Sequence, residues 1–138
     1  MILLDTNVVS EAMKPLPNSM VLNWLNAQVA ETLFVSSITF AELWFGVAAM
    51  PKGQRKLRLE DTVAGLADIY KGRILNFDLD AAKTYAQLAV LAKSKGQGFP
   101  ATDGYIAAIA AAKQFIVASR DTGPFSAAGV EVINPWAT

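Results

Sequence analysis

The sequence predicts an α/β domain of three layers, with helices on both faces of a parallel sheet. Three observations carry that prediction. Five short apolar runs of strand length recur along the chain, longer helical patterns separate them, and 53% of the residues are hydrophobic against 17% charged. A chain of 138 residues buries about two thirds of its unfolded surface in one domain, so neither disulfide nor structural metal is needed.

The runs are "MILL" at 1–4, "LFVSS" at 33–37, "RILNF" at 73–77, "FIVAS" at 115–119 and "VEVIN" at 130–134. Their length and branched side chains fit strands buried on both sides. Helical spacing or strong helix formers fill 7–13, 18–29, 38–50, 52–71, 80–95 and 103–114. Helix 38–50 carries a stripe at Phe40, Leu43, Trp44 and Val47. Ile38, Phe45 and Ala48 make its other sides apolar, so it is expected to be buried all round. Helix 103–114 is alanine-rich, which lets a neighbouring backbone approach closely. Pro51 and "GQGFP" at 96–100 mark breaks, and no internal repeat or low-complexity segment interrupts the pattern.

The composition removes whole classes of chemistry. Without cysteine there are no thiolate nucleophiles, disulfides or thiolate zinc sites; without histidine there are no serine–histidine triads and few zinc hydrolases. Twelve basic residues balance twelve acidic ones, so any contact with phosphates must be local. The chain opens without a basic, small-residue leader and has no apolar run of bilayer length, from which a soluble cytoplasmic protein with no membrane partner is expected.

Most of the acids have ordinary company. Glu60, Asp61 and Asp68 share a helix with Lys52, Arg55, Lys56 and Arg58, Asp80 is placed as an N-cap, and Asp78 is expected to serve a turn and cap. Four acids are different. Asp5 is the only charge in residues 1–10, Glu42 the only one between Glu31 and Lys52, and Asp103 the only one between Lys95 and Lys113. Asp121 forms with Arg120 the only charged pair between Lys113 and Glu131.

An ionised carboxylate in apolar surroundings costs several kcal/mol, roughly, unless something compensates it. In a doubly wound sheet, residues just past the carboxyl ends of strands face a common crevice where the strand order reverses. Asp5 and Asp121 fall there, and the helices bearing Glu42 and Asp103 can start at the same rim. Four acids together repel one another or demand a cation, and with only oxygen donors that cation is Mg²⁺ or Mn²⁺. Each acid also has a plainer explanation. Asp5 can cap the first helix, Asp103 or Thr102 can cap the helix at 103, Glu42 can reach water, and Asp121 can turn the chain with Thr122 and Gly123.

These segments resemble PIN-domain ribonucleases of the VapC and FitB type, the toxin halves of bacterial toxin–antitoxin pairs. "LLDTNVVSE" is similar to the family's first motif, "SSITFAELWFGV" to its glutamate-bearing helix, "FPATDGYIAAIAAA" to its third acid and following helix, and "ASRDTGPFSAAGVEVINPW" to its closing segment. Each motif is weak alone, but four in order over nearly the whole chain are specific. The resemblance implies a single α/β/α domain with a parallel five-stranded sheet, in which Asp5, Glu42, Asp103 and Asp121 bind Mg²⁺ or Mn²⁺. Thr6, Asn7 and Ser119 would orient those acids or a bound water. One departure stands out: Pro124 precedes Phe125 where members often carry another aspartate.

The implied reaction is hydrolysis of RNA by metal-activated water, leaving 5′-phosphate and 3′-hydroxyl ends. Arg120 and the cluster Lys52, Arg55, Lys56 and Arg58 are candidates for phosphate contact, against a solvated helix face paired with Glu60 and Asp61. The resemblance further implies a homodimer, which the apolar surplus also fits, and an antitoxin partner. Two competing readings are a phosphoryl-transfer enzyme and a non-catalytic binding module. Haloacid phosphatases want an aspartate where Asn7 stands, and receiver domains want a lysine where "FIVASRD" offers Arg120. The acids of a binding module would serve only as caps or as a docking surface.

Overall fold

The computed structural model describes residues 1–138. Its elements run β1 (Ile2–Leu4), α1 (Thr6–Ala12), α2 (Ser19–Ala27), β2 (Leu33–Ser36), α3 (Ser37–Ala48), α4 (Gln54–Ile69), β3 (Ile74–Leu75), α5 (Leu79–Ser94), α6 (Ala101–Lys113), β4 (Ile116–Ala118), α7 (Thr122–Ala127) and β5 (Val132–Ile133). The five strands form one parallel sheet in the order β3-β2-β1-β4-β5. Strand addition therefore proceeds in one direction from β1 through β3 and in the other through β4 and β5. The reversal falls between β1 and β4.

Alternation along the strands builds the two outer layers. Leu4, Val35 and Ala118 face a core completed by Val8 and Val9 of α1, Val21 of α2, Phe40, Leu43 and Val47 of α3, and Val63 of α4. Leu3 and Val117 point the other way, into a core with Ile106, Ala107, Ile109 and Ala110 of α6 and Phe125 of α7. Covered on both faces, β1 and β4 can be apolar without interruption. The alanines of α6 permit close packing on α5, and Gly104 is where that approach is tightest. A Cβ there would overlap the Phe99 ring and stand 2.9 Å from Tyr85 Cε1.

Several expectations need correction. Asp78, not Asp80, caps α5: its carboxylate accepts from Ala81 N at 2.9 Å, and Asp80 lies inside the first turn. Neither Asp103 nor Thr102 caps α6, because the helix begins two residues earlier after Pro100. Helix α7 is additional to the helices expected from the sequence, and Pro124 sits in its first turn, where its missing N–H costs nothing. Helix α3 is not buried all round. Phe45 is 76% exposed and Trp44 47%, because the sheet and α4 cover only the stripe of Phe40, Leu43 and Val47. No helix is long and apolar enough to cross a membrane.

Candidate active site

Adjacent strands bring their ends to one rim. Leu4 pairs with Ala118, and Asp5 N donates to Ala118 O at 2.9 Å, so Asp5 and Ser119 leave the sheet side by side. Asp5 is 3% exposed and Ser119 fully buried. Ser119 Oγ donates to Asp5 Oδ2 at 2.7 Å, and Thr6 N donates to Asp5 Oδ1 at 2.8 Å. Asp5 therefore caps α1 and also faces the crevice; the two explanations of its position are one.

Ser119 ties three site residues together. Its Oγ accepts from Asn7 Nδ2 at 3.3 Å and from Asp121 N at 3.0 Å while its proton goes to Asp5. Asn7 Oδ1 in turn accepts from Arg120 N at 3.3 Å. A second set of hydroxyls serves Glu42. Thr6 Oγ1 donates to Glu42 Oε1 at 2.6 Å, which commits its only proton, so Thr39 Oγ1, 3.0 Å away, is the donor in the Thr6–Thr39 bond. The buried Ser36 Oγ donates to Thr39 Oγ1 at 3.4 Å and also caps α3 by accepting from Thr39 N. The relay Ser36, Thr39, Thr6 thus points its donors toward one carboxylate. Thr6, Asn7 and Ser119, the three short polar residues named from the sequence, each hydrogen-bond within these two sets.

Asp5, Glu42, Asp103 and Asp121 line a single cavity of about 370 Å³. Their proximity registers in their acidity. Burial pushes the Asp5 carboxyl from 3.8 up to about 6 against the hydrogen bonds from Ser119 and Thr6, and the charges of Asp103 and Glu42 push the same way. Asp103 is also raised, by burial first and then by Asp121 and Glu42. No three of the carboxylates close tightly enough to form an ion cage by themselves. Such an open all-oxygen set still fits Mg²⁺, which keeps several waters and takes only one or two carboxylates.

The same cavity holds residues that the sequence alone did not single out: Ser10, Glu11, Lys14 and Trp136. Asn7, Ser10, Glu11 and Lys14 follow helical spacing and so share one face of the α1 segment, a signal the sequence does contain. Glu11 accepts from Lys14 Nζ at 3.0 Å and from Asn18 N at 3.1 Å, which hold its carboxyl below the usual range and fix the turn into α2. Trp136 stacks beneath Arg120, whose guanidinium carbon lies 5.2 Å from the ring centroid.

The basic cluster divides. Arg55 and Arg58 line a neighbouring groove, whereas Lys56 Nζ turns to Ala48 O at the end of α3, and Lys52 lies in the turn before α4. None pairs with Glu60 or Asp61, because the only ion pair in the structure is Lys14–Glu11.

A family model described as PIN domain matches residues 2–131. The chain belongs to the PIN domain family. Within it the VapC and FitB type is indicated by full-length relatives. The chain is 52% identical over 137 residues to VapC ribonuclease Y4jK of Sinorhizobium fredii, covering 99% of this chain and 98% of that protein. It is 47% identical to Toxin FitB of Neisseria gonorrhoeae, covering 99% of each. Among solved structures, FitAcB from N. gonorrhoeae superposes with a TM-score of 0.95 at 46% identity over the whole of both chains. In this PIN domain Pro124 turns the first residues of α7 and offers no carboxylate, while the adjacent Phe125 is fully buried in the core.

Proposed function

We propose that the protein is a metal-dependent endoribonuclease, the toxin of a VapBC-type toxin–antitoxin pair. The observation that carries this reading is the convergence of Asp5, Glu42, Asp103 and Asp121, from four separate segments, on one buried-edged cavity at the switch point of the sheet. Membership of the PIN family and identity to a ribonuclease and a toxin support it.

Asp5, Glu42, Asp103 and Asp121 would hold Mg²⁺ or Mn²⁺ between them, with water completing its shell. Such an ion supplies a neutralising charge for the scissile phosphodiester and lowers the pKa of attacking water. The remaining work belongs to the chain. Ser119 and Thr6 fix the Asp5 oxygens, the hydroxyl relay through Thr39 and Thr6 aims Glu42, and Asn7 holds the Ser119–Arg120 turn. Lys14 and Arg120 stand on the cavity wall as the nearest cations for phosphate oxygens. Attack by water rather than by the ribose 2′-hydroxyl leaves 5′-phosphate and 3′-hydroxyl ends.

Two partners follow from the same reading. A cognate antitoxin would restrain the nuclease. A second copy of the chain would cover the exposed Phe45 and Ala41 together with the half-buried Ile38 and Tyr105 beside Glu42. Incubating the purified protein with structured and single-stranded RNAs, with Mg²⁺, Mn²⁺ or EDTA, tests the reading. Cleavage that requires metal and leaves 5′-phosphates is expected; phosphate release from simple monoesters without RNA cleavage would replace it with phosphoryl transfer.

A further inference from the structure

The cavity of the acids does not end at Lys14. Ser10 and Lys14 also line a second cavity, of about 400 Å³, to which Arg55 and Arg58 of α4 contribute. Three cations therefore face one groove that contains no carboxylate, next to a cavity that contains five. Arg55 and Arg58 are three apart on α4, which puts them on one face of the helix. Neither has an ion-pair partner, and Lys14, though bound to Glu11, keeps 59% of its side chain exposed.

Unpaired like charges at such spacing repel one another unless an anion joins them. The anion that fits here must also satisfy the adjoining cavity. A strand of RNA with one phosphodiester among the acids carries its next phosphates out past the shared residues Ser10 and Lys14. Arginine forks match phosphate oxygens in pairs. An acidic peptide matches the groove equally but has no group that the neighbouring cavity can act on.

We propose that Lys14, Arg55 and Arg58 form a track for the RNA backbone leading away from the scissile phosphodiester, an inference that rests on the ribonuclease reading above. Lys52 and Lys56 lie outside the track.

The test measures binding of a short fluorescein-labelled single-stranded RNA to the Asp5→Asn protein in EDTA over a series of KCl concentrations. Each phosphate contact on a single strand contributes about 0.7 to the slope of log affinity against log salt. Arg55→Gln with Arg58→Gln is expected to lower the slope by about 1.4, Arg55→Lys with Arg58→Lys to keep most of it, and Lys52→Gln with Lys56→Gln to leave it unchanged. Both arginines are exposed, and circular dichroism with the unfolding midpoint verifies that the variants fold. An unchanged slope in Arg55→Gln with Arg58→Gln, or an equal loss in Lys52→Gln with Lys56→Gln, overturns the track. If the arginine variant instead weakens binding of polyglutamate and leaves the RNA slope intact, the groove belongs to an acidic peptide and the proposal fails. Cleavage of the same RNA by the parent protein in Mg²⁺ is scored separately. Cleavage with an unchanged slope removes the track alone, whereas a lowered slope without cleavage removes the ribonuclease reading and leaves the RNA contact standing.

Discussion

Replacing Asp5 by asparagine should make the metal-free protein more stable at neutral pH, even though it removes a buried hydrogen-bonded side chain. The folded-state pKa of Asp5 is about 6 against 3.8 for the free group. A difference of about two units corresponds to roughly 3 kcal/mol, charged against the folded state once the group ionises. The sign follows from proton counts. Below 3.8 both folded and unfolded chains hold the proton and nothing changes. Between 3.8 and about 6 the folded chain holds a proton that the unfolded chain has released, so stability falls as pH rises, and above about 6 the whole penalty is present. Asparagine escapes that penalty but weakens the bond from Ser119 Oγ, already an acceptor from Asn7 and Asp121, at a cost of roughly 1–2 kcal/mol. The net gain is about 1–2 kcal/mol above pH 7, shrinking to nothing or reversing near pH 4. Urea unfolding of parent and Asp5→Asn proteins in EDTA from pH 4 to 8 measures it. A difference that does not vary with pH, or an Asp5→Asn protein that is the less stable at pH 8, would refute the account of Asp5 as a strained, functional carboxylate.

Millimolar Mg²⁺ should reverse that order, because a ligand that binds only the folded parent stabilises it by mass action; equal thermal shifts in parent and Asp5→Asn proteins would argue against Asp5 as a ligand. Thr6→Val removes the hydroxyl that aims Glu42 and is expected to lower RNA cleavage by about 10–100-fold, with little change in the far-ultraviolet spectrum. Gly104→Ala should cost about 1–3 kcal/mol in urea unfolding, since its methyl group must displace Phe99 and press on Tyr85. Phe45→Glu places a charge at the exposed apolar side chain beside Glu42 and should shift the proposed dimer to monomer in sedimentation velocity.

The parts of the fold that could be read from the sequence are those where burial leaves few choices. Leu3 and Leu4 go to opposite cores, so a run that is apolar at every position must be a covered strand, and a charge at its end must face a crevice. That logic reached Asp5 and Asp121, past the ends of β1 and β4, whereas Ser119 was named only through the family resemblance. The short edges were less legible. β3 and β5, at the two edges of the sheet, pair over two residues each, far less than their apolar runs of five. The error at Phe45 has a related cause: composition says that a side chain is apolar, but only the packing of α3 says that no element of the same chain covers it. Arg120 over Trp136 joins residues from β4's exit and the last turn of the chain, a meeting that no local spacing encodes.

Charge in the two adjoining cavities explains why the site needs both of its proposed ligands. Asp5, Glu11, Glu42, Asp103 and Asp121 face only Lys14 and Arg120 in the first cavity, so carboxylates exceed cations by three. A phosphodiester brought there meets repulsion of several kcal/mol, roughly, at short range in a partly desolvated site. In EDTA, RNA should therefore hold to the groove of Lys14, Arg55 and Arg58 while its contact with Arg120 among the acids is weak. Added Mg²⁺ should draw the strand inward, and competition by salt should weaken less steeply at Arg55→Gln with Arg58→Gln than in the parent arrangement. Fluorescence of Trp136, beneath Arg120 at the cavity wall, is positioned to report the step. A change on RNA addition that requires Mg²⁺ in the parent, and is lost when Asp103→Asn weakens the ion's seat, is the expected result. The same change in EDTA would mean that RNA enters against five carboxylates unaided, and the cation would lose its role as the group that admits the substrate.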